Sequence, residues 1–326
     1  MVVKSESWLL QSLSYWGDTI LISLFKKKSK VGLVGVEVRS DGISIAQSLP
    51  GDGGSASVVF QDFIACKAAQ RKDALAGLVD EYGLKGFPCN LVLTSDQYQI
   101  FQTDKPPVAD EELSEAIRWK VKDLIDYSLD DAITDVFDFP DDATRGRGSL
   151  VNVVSARKAL LQQNVKLMAE VGLDLQSIDI TELVLRNISM RYDAVGSGLA
   201  LLFMRPGFGM ILVSKGDTMY FSRRFDFSLD ALRNTATQES TIQQLALEVQ
   251  RSLDYYESQM GQVPPKELLL VGPDGSFPLA NMLGQNVAVS VKNLDVAPLF
   301  EDEDISSEVV IQNFAAVGAA LRESQL

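Results

Sequence analysis

The side chains able to do chemistry here are carboxylates, arginines and two cysteines, because none of the 326 residues is a histidine. Serine and cysteine nucleophiles activated by histidine are therefore excluded, and so is every histidine-ligated zinc or iron centre. Cys66 and Cys89 match no metal-ligand spacing; they read as reduced core thiols, with a disulfide between them as the alternative. Glu301-Asp302-Glu303-Asp304 gathers four carboxylates without the alternate spacing of a calcium loop, so it reads as a solvated connector. Gly207-Phe208-Gly209 opens like a dinucleotide fingerprint, yet Leu212 stands where the third glycine is needed, and a hairpin turn is the better reading. Arg145-Gly146-Arg147-Gly148 looks like one copy of an RNA-binding tract, but a single copy in an acidic chain reads as a mobile hairpin loop. No Walker A sequence occurs.

Composition narrows the classes further. Apolar residues make up 46% of the chain, the range of a globular protein. The length admits two cores, since domains run about 100–200 residues. A formal net charge of −14 argues against a nucleic-acid partner, whose phosphates would be repelled. No uninterrupted apolar run approaches the ~20 residues of a membrane span.

The elements that must position any site are legible from hydrophobic periodicity. Val31 to Val38, Ile43 to Leu49 and Ala56 to Phe63 form a three-strand meander, followed by a helix (Lys72 to Tyr82) and a strand (Leu91 to Thr94). Leu113, Ile117, Val121, Leu124 and Ile125 stripe a helix from Asp110 to Asp126, with Asp110 expected as its N-cap. Strands Ile133 to Phe139 and Leu150 to Ser155 flank the loop Pro140 to Gly148. A helix from Arg157 to Val171 stops at Gly172, and the strand Leu173 to Ile180 feeds a helix capped by Thr181. A second meander follows at Leu199 to Met204, Met210 to Val213 and Met219 to Phe225. Then come a long helix from Thr241 to Met260 with a Ser240/Gln243 capping box, a strand Leu268 to Val271, a helix near Phe277 to Leu283, a strand Val287 to Val291 and a closing helix Glu308 to Leu321. Two halves with one plan predict a duplicated α/β domain, although no repeat is visible residue by residue.

Residues 1–30 stand apart. Leu9, Leu13, Trp16, Ile20 and Leu24 fall at helical steps, and Trp8, Trp16, Phe25, Lys26, Lys27, Lys28 and Lys30 supply the aromatic residues and basic edge of a membrane-surface anchor. Packing of this segment on the folded body is the alternative.

Taken together these segments resemble the actin-like pilus assembly proteins of the PilM type, and within them the branch serving the mannose-sensitive haemagglutinin (MSHA) type IV pilus. The resemblance is carried by Leu24 to Lys28 leading into Gly35-Val36-Glu37-Val38, by Glu112 through Lys120, by Val153 to Arg157 with Gly172-Leu173 and Asp179, by Glu248 to Tyr256, and by Asn313 to Arg322. It implies an α/β, actin/FtsA-like fold of duplicated ribonuclease-H-like domains: a first domain at 31–195 with an inserted subdomain at about 96–155, and a second at 196–326. It implies a cytoplasmic protein peripheral to the inner membrane, in the pilus assembly platform. Its implied partners are the cytoplasmic tail of a PilN-like inner-membrane protein, held beside the helix bearing Arg118, Trp119 and Lys122, and the pilus motor ATPase.

The resemblance also places a nucleotide site. In nucleotide-binding members an Asp-Ile-Gly loop in each meander meets the phosphates and organises Mg²⁺. Here the first loop reads Gly35-Val36-Glu37-Val38-Arg39-Ser40. A carboxylate is kept at Glu37, while Arg39 replaces glycine and either binds phosphate itself or faces solvent at a strand end. The second loop falls near Phe203-Met204-Arg205, with Gly207 and Gly209 beyond and no acid between Leu199 and Val213. The adenosine-side glycines are reduced to Gly272 and Gly275. The expected protein is a scaffold without catalytic residues, metal or obligate cofactor; an actin-like ATPase using ATP and Mg²⁺ is the alternative.

Overall fold

The computed structural model describes residues 30–51, 56–146, 148–193, 196–272, 277–301 and 307–322. The chain divides into two compact units: Met1–Phe139, Ser149–Val184 and Ala315–Leu326 in the first, Pro140–Gly148 and Leu185–Phe314 in the second. The sequence suggests a single cut near residue 195; in the structure the division instead falls inside two helices, and the chain returns to the first unit at its end.

In the first unit, β1 (Leu33–Val38), β2 (Gly42–Pro50) and β3 (Ala56–Ala65) form the antiparallel meander. Helix α1 (Arg71–Glu81) then carries the chain to β4 (Pro88–Leu93), which lies parallel to β1. Both central strands are almost wholly buried, as continuous apolar runs such as Leu91-Val92-Leu93 require. Next comes the inserted subdomain: β5 (Tyr98–Asp104), α2 (Asp110–Lys120), β6 (Ala132–Asp138) and β7 (Leu150–Arg157), in a sheet of order β5-β7-β6. Helix α3 (Lys158–Val171) ends on Gly172, whose φ of 83° is readily adopted only by glycine, and β8 (Asp174–Ile180) completes a sheet of order β3-β2-β1-β4-β8.

β7 explains how the insert is built. It is buried along nearly its whole length because both faces are covered. Val151 and Val153 pack under Leu113, Ile117 and Val121, whereas Val154 and Ala156 join the main core with Tyr98 and Ile180.

Helix α4 (Thr181–Ser189) leads to the second unit, which repeats the plan: β9 (Leu199–Arg205), β10 (Gly207–Lys215), β11 (Thr218–Phe227), α5 (Leu229–Arg233), α6 (Gln238–Ser258), β12 (Glu267–Val271), α7 (Leu279–Gly284), β13 (Ser290–Asn293) and α8 (Ser307–Ala320). The sheet order is β11-β10-β9-β12-β13, the same as in the first unit. Among the described residues no helix is long and apolar enough to cross a membrane.

Several local expectations are corrected. The first helix of the insert stops at Lys120 and its cap position is Ala109, one residue before Asp110. The Thr181 hydroxyl donates to the carbonyl of Leu93 instead of capping α4. Helix α6 begins at Gln238, so Ser240 lies inside it and donates to the carbonyl of Thr237. The strand expected at Val287 to Val291 forms at Ser290–Asn293, and β5 was not foreseen. In the loop Pro140 to Gly148, Ala143 and Thr144 are buried, Asp142 accepts from the Tyr220 hydroxyl at 3.1 Å, and the Asp142 carbonyl accepts from Gln262 at 3.0 Å, while Arg145, Gly146 and Gly148 are exposed.

Candidate functional site

The expected first phosphate loop folds as the β1–β2 hairpin. Glu37 is 1% exposed, and the Arg39 guanidinium lies 3.3 Å from its carboxylate, so neither reaches solvent as a strand-end residue would. Arg39 also donates to Ser44 Oγ at 2.9 Å and to Asp41 Oδ1 at 2.9 Å, and lies 4.6 Å above the Phe63 ring. These contacts hold the guanidinium in place, with 11% of the side chain left exposed. Ser40 is exposed in the turn. Gly35 serves packing: a Cβ there would fall 2.0 Å from the Ala316 carbonyl oxygen and 2.9 Å from Ala319 Cβ. Its missing side chain lets α8 lie directly on the sheet, a close approach only glycine permits.

That helix end is pinned by polar side chains with no motif signal of their own. Ser48 donates to the Ala320 carbonyl at 2.5 Å and Asn90 to the Ala319 carbonyl at 3.3 Å, satisfying acceptors that a helix terminus leaves open. Asp179, 5% exposed, takes hydrogen bonds from Arg322 at 2.6 Å and Asn90 at 2.8 Å. Asp135 on β6 feels this cluster: burial, and then the negative charge of Asp179, push its carboxyl above the usual range, against the pull of Arg322. Asp179 and Arg322 belong to the segments carrying the family resemblance, but the pairing of positions 143 apart has no signal in local sequence.

In the second unit, Phe203, where the second acid is expected, is fully buried and stacked on Phe314 at 5.7 Å, with Phe208 edge-on at 6.3 Å. Arg205 lies 5.0 Å from the Phe203 ring and donates to the Gln312 carbonyl. Gly207 is exposed in the tight turn with φ 92°. Gly209 is a packing position, since a Cβ would strike the Phe225 ring at 2.3 Å. Gly272 is buried between Leu270 and Met204. No group of three or more acidic or cysteine side chains able to hold a metal occurs among the described residues. A cleft of about 390 Å³ in this unit, lined by Leu253, Asp254, Glu257, Pro264, Lys266 and Val289 among others, contains none of the expected residues.

On the insert, Trp119 is 63% exposed and Lys122 is exposed, while Arg118 is partly held by donation to the Leu129 carbonyl at 2.6 Å. Lys30 places its ammonium 4.5 Å from the Phe87 ring. Trp8, Trp16, Phe25, Lys26, Lys27, Lys28, Gly275, Arg147 and Asp302 to Asp304 lie outside the described residues.

Two sheets of one order, each opened by a meander and crossed by helices, define a protein of actin-like fold. The chain is similar to the PilM–PilN type IV pilus biogenesis complex, with a TM-score of 0.70 and 16% identity over 89% of this chain and 98% of that one. It is also similar to the cytoplasmic domain of EpsL, an inner-membrane component of the type II secretion system of Vibrio cholerae (TM-score 0.52, 12% identity, 90% and 96% covered). A Bacteroides thetaiotaomicron protein of actin-like ATPase fold and unknown function gives a TM-score of 0.51 at 12% identity, covering 89% and 96%. At such identities these likenesses establish the fold. No family model and no curated protein sequence matches the chain.

Proposed function

We propose that this protein is a non-enzymatic scaffold of a type IV pilus assembly platform, of the MSHA branch. It sits in the cytoplasm against the inner membrane and holds the cytoplasmic tail of a PilN-like membrane protein. The observation that carries the reading is the likeness, across nearly the whole chain, to the PilM–PilN type IV pilus biogenesis complex. The insert supplies a surface for such a tail in the exposed Trp119, flanked by Arg118 and Lys122. Residues 1–30 supply a basic, aromatic segment for the membrane surface. In this reading the motor ATPase is reached through the platform.

A phosphate loop needs an acid whose charge is available to Mg²⁺ and a backbone open to phosphate. Glu37 is instead neutralised by Arg39, and Phe203 fills the second acid's place with an aromatic stack. The second reading, an actin-like ATPase of the same machinery, is favoured by the retained carboxylate at Glu37. Calorimetric titration with Mg·ATP separates the two: the scaffold reading expects nothing tighter than about 100 μM, roughly −5.5 kcal/mol. Micromolar binding that disappears in Glu37→Ala would establish the ATPase reading instead.

A further inference from the structure

The chain enters the first unit through an apolar corner that the proposed scaffold role does not use. Val31 is 67% exposed there. Beside it the Leu49 side chain lies over Gly32, where an added Cβ would fall 2.6 Å from Leu49 Cδ2, and Leu49 is itself 36% exposed. On the other side the Lys30 ammonium reaches the Gly83 carbonyl at 3.4 Å, next to Tyr82, which is 37% exposed. Tyr82 stacks on Phe60 with ring centres 4.2 Å apart, and Phe60 pairs with Gln47, which shares a strand face with Leu49. Val31, Leu49, Phe60 and Tyr82 thus border one patch. The charges around it are mixed, with Asp62, Asp80 and Glu81 against Lys30 and Lys85, so apolar area and not charge selects what covers it.

From this we infer that the corner is the docking site of this chain's own residues 1–29, which lay the stripe Leu9, Leu13, Trp16, Ile20 and Leu24 on it and so withhold that face from the membrane. Connectivity fixes the occupant. Five residues separate Leu24 from Lys30, a reach of at most about 20 Å, so the end of the stripe is held beside the patch. Over such a tether the effective concentration is on the order of 1 mM. A contact with an intrinsic Kd of about 100 μM is then closed in roughly nine molecules of ten, and the affinity for a membrane falls about tenfold. The masking of the membrane face rests on the membrane reading of residues 1–30 proposed above; the docking itself does not.

The test uses the full chain carrying Trp119→Phe, which leaves Trp8 and Trp16 as its tryptophans, and reads their quenching by acrylamide without lipid. Both are expected to be quenched less than N-acetyltryptophanamide, at any protein concentration, and Val31→Glu/Leu49→Glu should remove that protection. The same double variant should bind phosphatidylglycerol vesicles about tenfold tighter in low salt. If it loses its fold, Val31→Glu alone, at the more exposed position, carries the test. Val263→Glu, at a residue 82% exposed in the second unit, is the control and should leave quenching unchanged. Equal quenching in the parent chain and the corner variants overturns the inference. So does protection that disappears on dilution, which would make a second copy's corner the occupant. Unchanged vesicle affinity in a variant that has lost protection overturns the masking. Protection lost in the double variant, with no chain binding vesicles, upholds the docking and removes the membrane reading instead.

Discussion

Arg39 holds Glu37: a guanidinium 11% exposed lies 3.3 Å from a carboxylate 1% exposed, at the hairpin where actin-like proteins are expected to meet phosphate. Removing one partner of such a pair leaves a desolvated charge, at a cost of about 3 kcal/mol. Arg39→Met is therefore expected to lower unfolding free energy by that order in a urea titration. Adding Glu37→Gln to the same chain should restore part of the loss. Equal losses in the single and double variants would mean that an uncompensated Glu37 charge is not what destabilises Arg39→Met.

Gly35→Ala tests the close contact with α8. The added Cβ would need the Ala316 carbonyl, 2.0 Å away, to move, so a loss of about 3 kcal/mol and a lower melting temperature are expected. Gly77→Ala is the matched control. Gly77 lies within α1 with nothing within 4 Å of its added Cβ, and the change should stabilise by about 1 kcal/mol through helix propensity.

Asp135 gives stability a pH dependence of defined sign. Its folded pKa is raised above the ordinary 3.8, by burial first and then by Asp179. Its contribution is thus fully present below the unfolded value and is lost as pH rises through the higher folded value. Asp135→Asn removes the cost of the buried charge. The variant should melt higher than wild type at neutral pH, and the two should converge below about pH 3.8. A difference that grows on acidification would contradict this account.

Partner capture by the insert predicts that Trp119→Ala and Lys122→Glu weaken pull-down of a PilN-like tail at least about tenfold while leaving the melting temperature near wild type. Trp119 is 63% exposed and contributes little to the core, so binding and folding separate at this position. Unchanged capture across charge reversals of Arg118, Lys120 and Lys122 would move the partner site off this helix.

The basic N-terminal segment predicts binding of the full chain to anionic liposomes in low salt, and its loss in a chain beginning at Val31. Each lysine near an anionic surface adds about 1 kcal/mol, falling with salt. Equal pelleting of both chains would place membrane contact elsewhere. A truncated chain that melts lower, with neither form binding liposomes, would show that the segment packs on the body.

The elements and their plan are legible in the amino-acid pattern alone. Continuous apolar runs such as Leu199 to Met204 allow only buried strands, and stripes such as Ile242, Leu245, Val249, Leu253 and Tyr256 allow only a helix with one buried face. The two meanders, the insert and the stop at Gly172 follow from such local patterns. Where they failed, competing polar contacts decided: Ser240 and Thr181 have the chemistry of caps, but their hydroxyls found other carbonyls. β5 was missed because Tyr98–Asp104 interleaves glutamines with aromatic and aliphatic residues, and pairing with β7 supplies what its own hydrophobicity does not. Only the tertiary structure could decide that Gly35 makes room for α8, that Phe314 stacks on Phe203, and that Arg322 comes back to Asp179. Each of these contacts joins residues more than a hundred positions apart, and no periodicity within a strand or helix specifies which distant side chain will meet it.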